Sequence, residues 1–203
     1  DLLDRNRIAD TGYRFVVLQS DEINAFAVPT GPLYITTGLL SVVESDAELA
    51  GILGHELAHA QLHHGLRQYE QMQRLSWISL LATVATGSRW VYTASSFLST
   101  LWTRGYSRDF EMEADRQGLW YTYGAGYRAS DFGLTLHKFL DLEKSRGGGG
   151  LTWLRTHPGN LDRISAVNQI LDRLDPLSLI LEEVEPVDAG LATYLKVHGS
   201  DFL

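Results

Sequence analysis

A chain of 203 residues with 44% hydrophobic content is long enough to bury a sizeable core as one domain, 1–203. Its formal net charge of −8 argues against nucleic acid, which would want clustered Lys and Arg, and against simple electrostatic attachment to anionic lipid. With no cysteine it has neither disulfides nor thiolate metal sites, a composition that leaves the compartment open. It starts at Asp rather than Met and shows no signal peptide, as expected of a processed or trimmed chain.

In chain order, Arg14 to Gln19 and Ile23 to Val28 read as strands, and Tyr34-Ile35-Thr36 as a short third. Helical patterns dominate from Ser45 to about Tyr123. Ser45 is a good N-cap with Glu48 three residues on, the pattern of a capping box. Leu49, Ile52, Leu53, Leu57 and Ala60 then recur at helical spacing, and Gly51 and Gly54 would let another element approach closely. This helix carries His55-Glu56-Leu57-Ala58-His59. Positions i and i+4 share a face, so both imidazoles can reach one metal ion while Glu56 projects beside them toward a water held there. That is the HExxH arrangement of zinc peptidases, two His binding Zn²⁺ and the Glu serving as general base. Against it stands a helix with two surface histidines and a solvated glutamate.

Zinc needs a third protein ligand and a position left open for water. An extended motif with glycine at position 62 and histidine at position 65 is excluded, since these are Leu62 and Gly65. The best candidate lies in Glu111-Met112-Glu113-Ala114-Asp115. If this stretch is helical, Glu111 and Asp115 share a face, so one carboxylate could bind zinc while the other accepts the N–H of a liganding histidine and fixes its tautomer. The competing reading is an acidic first turn favoured by the helix dipole. Glu113 points elsewhere and is expected to be solvated. His64 lies five residues beyond His59, on a different helical face, and reads as structural. His63, His137 and His198 read as ordinary polar residues.

Between these motifs Leu75 to Thr103 holds one charge, Arg89. A membrane span needs about 20 largely apolar residues. The pieces 75–86 and 90–102 are too short, and eleven of the 29 residues are Ser or Thr. Two helices packed on the core or shielding a cleft are expected. Trp77, Trp90, Phe97 and Trp102 motivate the hypothesis of an apolar face that meets a membrane surface or an envelope protein. Further on, helices are expected from Ala129 to Lys144 and from Asn160 to Leu174. Gly147 to Gly150 read as a flexible link, either a permissive loop or a hinge for His157. Residues 178–203 are ambiguous, a strand or short helix and then a terminal helix. The expected fold is α+β, a mostly helical, zincin-like single domain with a small β-sheet beside the HExxH helix.

Several stretches together resemble one family. Ser107-Arg108-Asp109-Phe110-Glu111-Met112-Glu113-Ala114-Asp115 is similar to the "SR…E-x-x-A-D" segment of the HtpX-like, CaaX-prenyl-endopeptidase family of membrane-associated gluzincins. Asn24-Ala25-Phe26-Ala27-Val28-Pro29 followed by Ile35 to Leu40 resembles its strand pair and the turn into the next helix. Thr156-His157-Pro158 with Arg163 resembles its "THP…R" motif. The resemblance runs from about residue 20 to 170, and in size fits the periplasmic BepA/LoiP-like branch. It implies one Zn²⁺ per chain held by His55, His59 and Glu111, with Glu56 as base and Asp115 as the carboxylate behind a liganding histidine. It implies that His157 stabilises the oxyanion or caps the zinc, that Arg163 supports His157, and that Asn24, Ala25 and Phe26 lie on the edge strand holding substrate. For His157 the alternative is a helix-terminal residue before Pro158.

The expected function is a zinc endopeptidase acting on unfolded or misassembled polypeptides in envelope quality control, in the bacterial periplasm or at a membrane. Two rivals stay open: a capped, chaperone-like binding protein with little turnover, and a non-peptidase zinc hydrolase. A serine or cysteine nucleophile has no support, for there is no Gly-x-Ser-x-Gly and no Cys; phosphate-loop patterns are absent too. The oligomeric state is not legible.

Overall fold

Thr36 ends one strand and starts a helix, and that junction organises the N-terminal part of the molecule. The computed structural model describes residues 2–8, 13–28, 32–72, 105–147, 151–158 and 161–181, of which 174–181 as backbone alone. The sheet contains β1 (Phe15–Leu18), β2 (Ala25–Ala27) and β3 (Leu33–Thr36) in the order β1-β3-β2. β1 runs parallel to β3, with Val17 opposite Ile35, and β2 runs antiparallel to it, with Ala25 opposite Ile35. β2 therefore forms one edge of the sheet. Alternation sets which side faces inward: Leu33 and Ile35 are buried on one strand, Ala25 beside them on the next.

A short helix α1 (Leu2–Arg5) precedes the sheet, and α2 (Thr37–Leu40) follows it at once. The Thr36 hydroxyl accepts the Leu39 N–H and caps α2. α3 (Asp46–Gln61) is the central element and packs on β2 and β3. Its cap is as expected at Ser45, whose Oγ accepts the Glu48 N–H at 3.1 Å; the Glu48 carboxylate, however, reaches the N–H of Glu44 rather than that of Ser45. Every residue from Leu49 to Ala60 is buried. So the apolar stripe inferred from spacing is one side of a helix enclosed all round, and a helix in that position can carry polar side chains only if they are paired.

α3 ends at Leu62–His63, where His63 takes φ 54°, and residues 64–72 resume as helix. Helix thus dominates from Ser45 to residue 72, with one break at His63. Then come α4 (Arg108–Gly124), capped by Ser107, α5 (Ser130–Ser145), the one-turn α6 (Thr152–Thr156) and α7 (Leu161–Leu181). α3 sits against α4 and α5 through glycines. A Cβ on Gly51 would lie 2.7 Å from Phe132 Cβ of α5, and one on Gly118 of α4 would lie 2.8 Å from His55 N. These distances admit no side chain, so the two helix backbones meet directly beside His55. The architecture is α+β, mostly helical with a small three-stranded sheet packed on the HExxH helix.

Helices α1, α2 and α6 were not expected; each is about one turn, too short for a periodic signal. α7 extends past Leu174 to Leu181. The two helices expected within 75–103, the contact face with Trp77, Trp90, Phe97 and Trp102, most of the glycine run at 147–150, and residues 182–203 lie outside the described residues. Among the described residues no helix is long and apolar enough to cross a membrane.

Candidate metal centre

His55 and His59 lie one turn apart on α3 with their Nε2 atoms 3.1 Å apart. The close approach of α4 brings Glu111 between them: its Oε1 is 3.3 Å from His59 Nε2 and its Oε2 3.5 Å from His55 Nε2. His157, just after α6, adds Nδ1 at 3.3 Å from His55 Nε2 and 3.1 Å from Glu111 Oε1. One donor atom from each of these four side chains lies within 4.8 Å of the others, and all four residues are buried. Lone pairs of two imidazoles and a carboxylate converging away from water favour a divalent cation, and the donor types are those of zinc.

The proton positions follow from what stands behind each ring. His55 Nδ1 is 2.9 Å from Asp115 Oδ1, which holds a proton on Nδ1 and leaves Nε2 as the nitrogen that would face a metal. Asp115 is in turn gripped by Arg163, with Nε 2.7 Å from Oδ2 and Nη2 2.7 Å from Oδ1. The same guanidinium sits 2.6 Å from Glu111 Oε2 and donates to the main-chain carbonyls of His157 and Pro158 at 3.1 and 3.2 Å. Arg163, expected behind His157, meets it through the backbone carbonyl and also joins both carboxylates.

Burial and charge oppose each other across the site. For His55 burial disfavours the imidazolium, but Asp115 and Glu111 outweigh it and lift the ring to about 9. His59 is pushed well below the usual histidine range by burial, which Glu111 does not offset. Burial would raise Glu111 and Asp115, yet Arg163 and the neighbouring histidines hold both below the ordinary carboxylate range. The two carboxylates therefore stay anionic beside the imidazoles.

Glu56 lies on α3 next to His55. Its Oε1 accepts the indole N–H of Trp153 at 3.1 Å and is 3.3 Å from His157 Nε2; its Oε2 is buried and has no hydrogen-bond partner among the described residues. Asn24, Ala25 and Phe26 fall at and on the edge strand β2. The Asn24 side chain is 1% exposed, yet neither amide atom is hydrogen-bonded among the described residues, and no hydrogen bond ties it to the cluster. Phe26 stacks on Tyr34 with ring centroids 5.0 Å apart.

Three further side chains, with no mark in the motifs, contribute to the site. Trp153 reached Glu56 from a helix too short to predict. Tyr106 stacks on His59 at 4.0 Å between centroids, its phenol pushed above the usual range by burial and by Glu56 and Glu111. The third is His64. A spacing of five predicts a different helical face from His59, but the break at His63 turns His64 back, and its Nδ1 lies 2.9 Å from His59 Nδ1. Glu113, expected to be solvated, is half-exposed and bonded to His64 Nε2 at 3.1 Å and Arg67 Nη1 at 2.8 Å. The available clue was that His64 and Glu113 each stand near a motif residue, but spacing along one helix could not join them.

The model of peptidase family M48 matches residues 1–171. The mitochondrial metalloendopeptidase OMA1 of Bos taurus is 32% identical over 184 residues, covering 81% of this chain and 33% of its own length. Its Homo sapiens counterpart is 31% identical over 169 residues, with 76% and 32% covered. The beta-barrel assembly-enhancing protease of Escherichia coli (strain K12) is 29% identical over 140 residues, with 64% and 29% covered. The chain spans about a third of the length of these relatives.

Proposed function

The chain belongs to peptidase family M48, and on that footing we propose that it is a zinc endopeptidase, with His55, His59 and Glu111 as metal ligands and Glu56 as general base. The observation that carries this reading is the buried convergence of those donor atoms within 4.8 Å, next to a carboxylate with one oxygen unpartnered among the described residues. A bound zinc would supply the Lewis acidity that lowers the pKa of water from ~15.7 toward ~7 and polarises the scissile carbonyl. The remaining work falls to the chain itself. Trp153 holds Glu56 Oε1, which leaves Oε2 to take the proton of the attacking water and then hand it to the leaving amine. Asp115 keeps His55 in the tautomer that offers Nε2, and Arg163 holds both carboxylates in place.

Substrate would add as an extended strand beside β2, which lies at the edge of the sheet among the described residues and is preceded by Asn24, whose buried side-chain amide has no hydrogen-bond partner among them. Recognition of backbone rather than sequence suits unfolded or misassembled polypeptides. The similarity to a protease named for β-barrel assembly supports a place in the bacterial periplasm or at a membrane. The test is metal analysis of the purified protein with casein cleavage before and after chelation. One equivalent of zinc and chelator-sensitive cleavage are expected; Glu56→Gln should keep the zinc and lower turnover by about 10²-fold or more. Cleavage that survives either treatment would refute the assignment.

A second reading, a capped binding protein with low turnover, is favoured by His157, whose Nδ1 already stands among the ligand atoms. His157→Ala separates the two. Under capping, casein cleavage rises on removal of the ring; if the ring only stabilises the oxyanion, cleavage falls.

A further inference from the structure

The cluster leaves one feature unused: a chain of side chains that runs outward from the far nitrogen of His59 to the surface. We infer that His64 is a positioning residue for the metal centre, fixing the tautomer and ring angle of His59 through a relay that ends on Glu113 and Arg67. The inference rests on the metal reading proposed above and extends it to residues outside the ligand set.

Only one distribution of protons makes every contact in the relay a hydrogen bond between neutral rings. His64 Nε2 faces the Glu113 carboxylate at 3.1 Å, and a carboxylate accepts, so the proton of His64 sits on Nε2. His64 Nδ1 is then a bare acceptor, 2.9 Å from His59 Nδ1. His59 must therefore carry its proton on Nδ1, and its Nε2 presents a lone pair toward Glu111 and His55. With the opposite arrangement His59 would aim an N–H into the cluster and His64 a lone pair at a carboxylate. Glu113 selects between them from the surface, two hydrogen bonds away.

The surroundings hold the relay rigid. His64 is fully buried and stacks on Phe110 of α4, with ring centroids 4.6 Å apart and planes 18° apart. Arg67 covers the Phe110 ring at 4.6 Å and pairs with Glu113 at 2.8 Å. The Gln68 amide donates to Gly105 O and accepts the Ser107 N–H, tying residues 64–72 to the start of α4. On an unbroken helix a spacing of five would set His64 about 140° away from His59. The positive φ of His63 is what brings the two rings together. The two helix ligands are thus backed in parallel, His55 by a carboxylate directly and His59 by one at a remove of one imidazole.

The experiment measures zinc affinity of the full chain by chelator competition, together with the melting temperature of the metal-free protein. His64→Phe keeps the stacking on Phe110 and deletes both hydrogen bonds; it should weaken zinc binding by about 10- to 100-fold. His64→Asn, whose Oδ1 can still accept from His59 Nδ1–H, should recover part of that loss, and Glu113→Ala should weaken binding several-fold. In zinc-loaded protein, ¹⁵N spectra should show a slowly exchanging His59 Nδ1–H that His64→Phe makes exchange fast. Unchanged affinity in His64→Phe, whatever its melting temperature, would make His64 mere packing and overturn the inference. Should His64→Phe not fold, unchanged affinity in Glu113→Ala overturns it equally. A wild-type chain that binds no zinc would instead sink the metal reading itself, a result distinguishable from either.

Discussion

At the scale of single residues the site depends on Arg163. Its guanidinium is 1% exposed and holds Asp115 through both oxygens, Glu111 through one, and two carbonyls. Two buried carboxylates share this guanidinium, so removing it leaves them only the partial compensation of the His55 ring. Arg163→Met should lower the unfolding free energy of the metal-free protein by about 3–5 kcal/mol in urea titrations. Added zinc should return part of it, because the metal supplies positive charge in the same place. A wild-type urea midpoint would contradict this account. Arg163→Lys should rescue poorly, since a point charge cannot span both carboxylates. Residue identities were legible here: Arg163, His157 and Asp115 all stand in motifs. Their partners were not. Nothing in the spacing of Thr156-His157-Pro158 says that the indole of Trp153 reaches Glu56, or that Arg163 reaches Glu111.

At the scale of elements the contact that matters is α3 against α4. His55 and Glu56 belong to the first helix, Glu111 and Asp115 to the second, and Gly54 and Gly118 set their separation. A Cβ on Gly118 would meet His55 N at 2.8 Å and His55 Cα at 2.9 Å, so Gly118→Ala must push the helices apart. A loss of about 1–3 kcal/mol in thermal or urea unfolding is expected. Zinc affinity should fall as well, because Glu111 lies two turns along the displaced helix. Stability lost with affinity intact would mean that the site adapts independently of the helix pair. Helix α3 was readable in the sequence: Ser45 caps it, and Leu49, Ile52, Leu53 and Leu57 are all buried at the spacing of one face. Helices α1, α2 and α6 were not, because one turn carries no periodicity. The halt at His63 was not readable either, since a non-glycine residue at positive φ leaves no compositional mark.

At the scale of the molecule, the proposed ligands come from α3 and α4, so a bound ion would cross-link two helices whose ligands His59 and Glu111 are 52 residues apart in the chain (111 − 59). Binding to the folded state alone stabilises by mass action, about 2.7 kcal/mol at a free concentration 100 times the dissociation constant. The melting temperature should therefore rise with free zinc and fall on chelation, and Glu111→Ala should flatten the response; a zinc-independent melting curve would count against a structural part for the metal. The sequence by itself determined the donor types, the placement of two of them one turn apart on one helix, and an α+β fold with a small sheet, since identity and local period are properties of the chain. Tertiary structure alone decided that Glu111 reaches both histidines, that Glu56 has one oxygen without a partner among the described residues, and that His64 stands behind His59. Those facts depend on where a helix breaks and how near two backbones come, and a local repeat of 3.6 residues encodes neither.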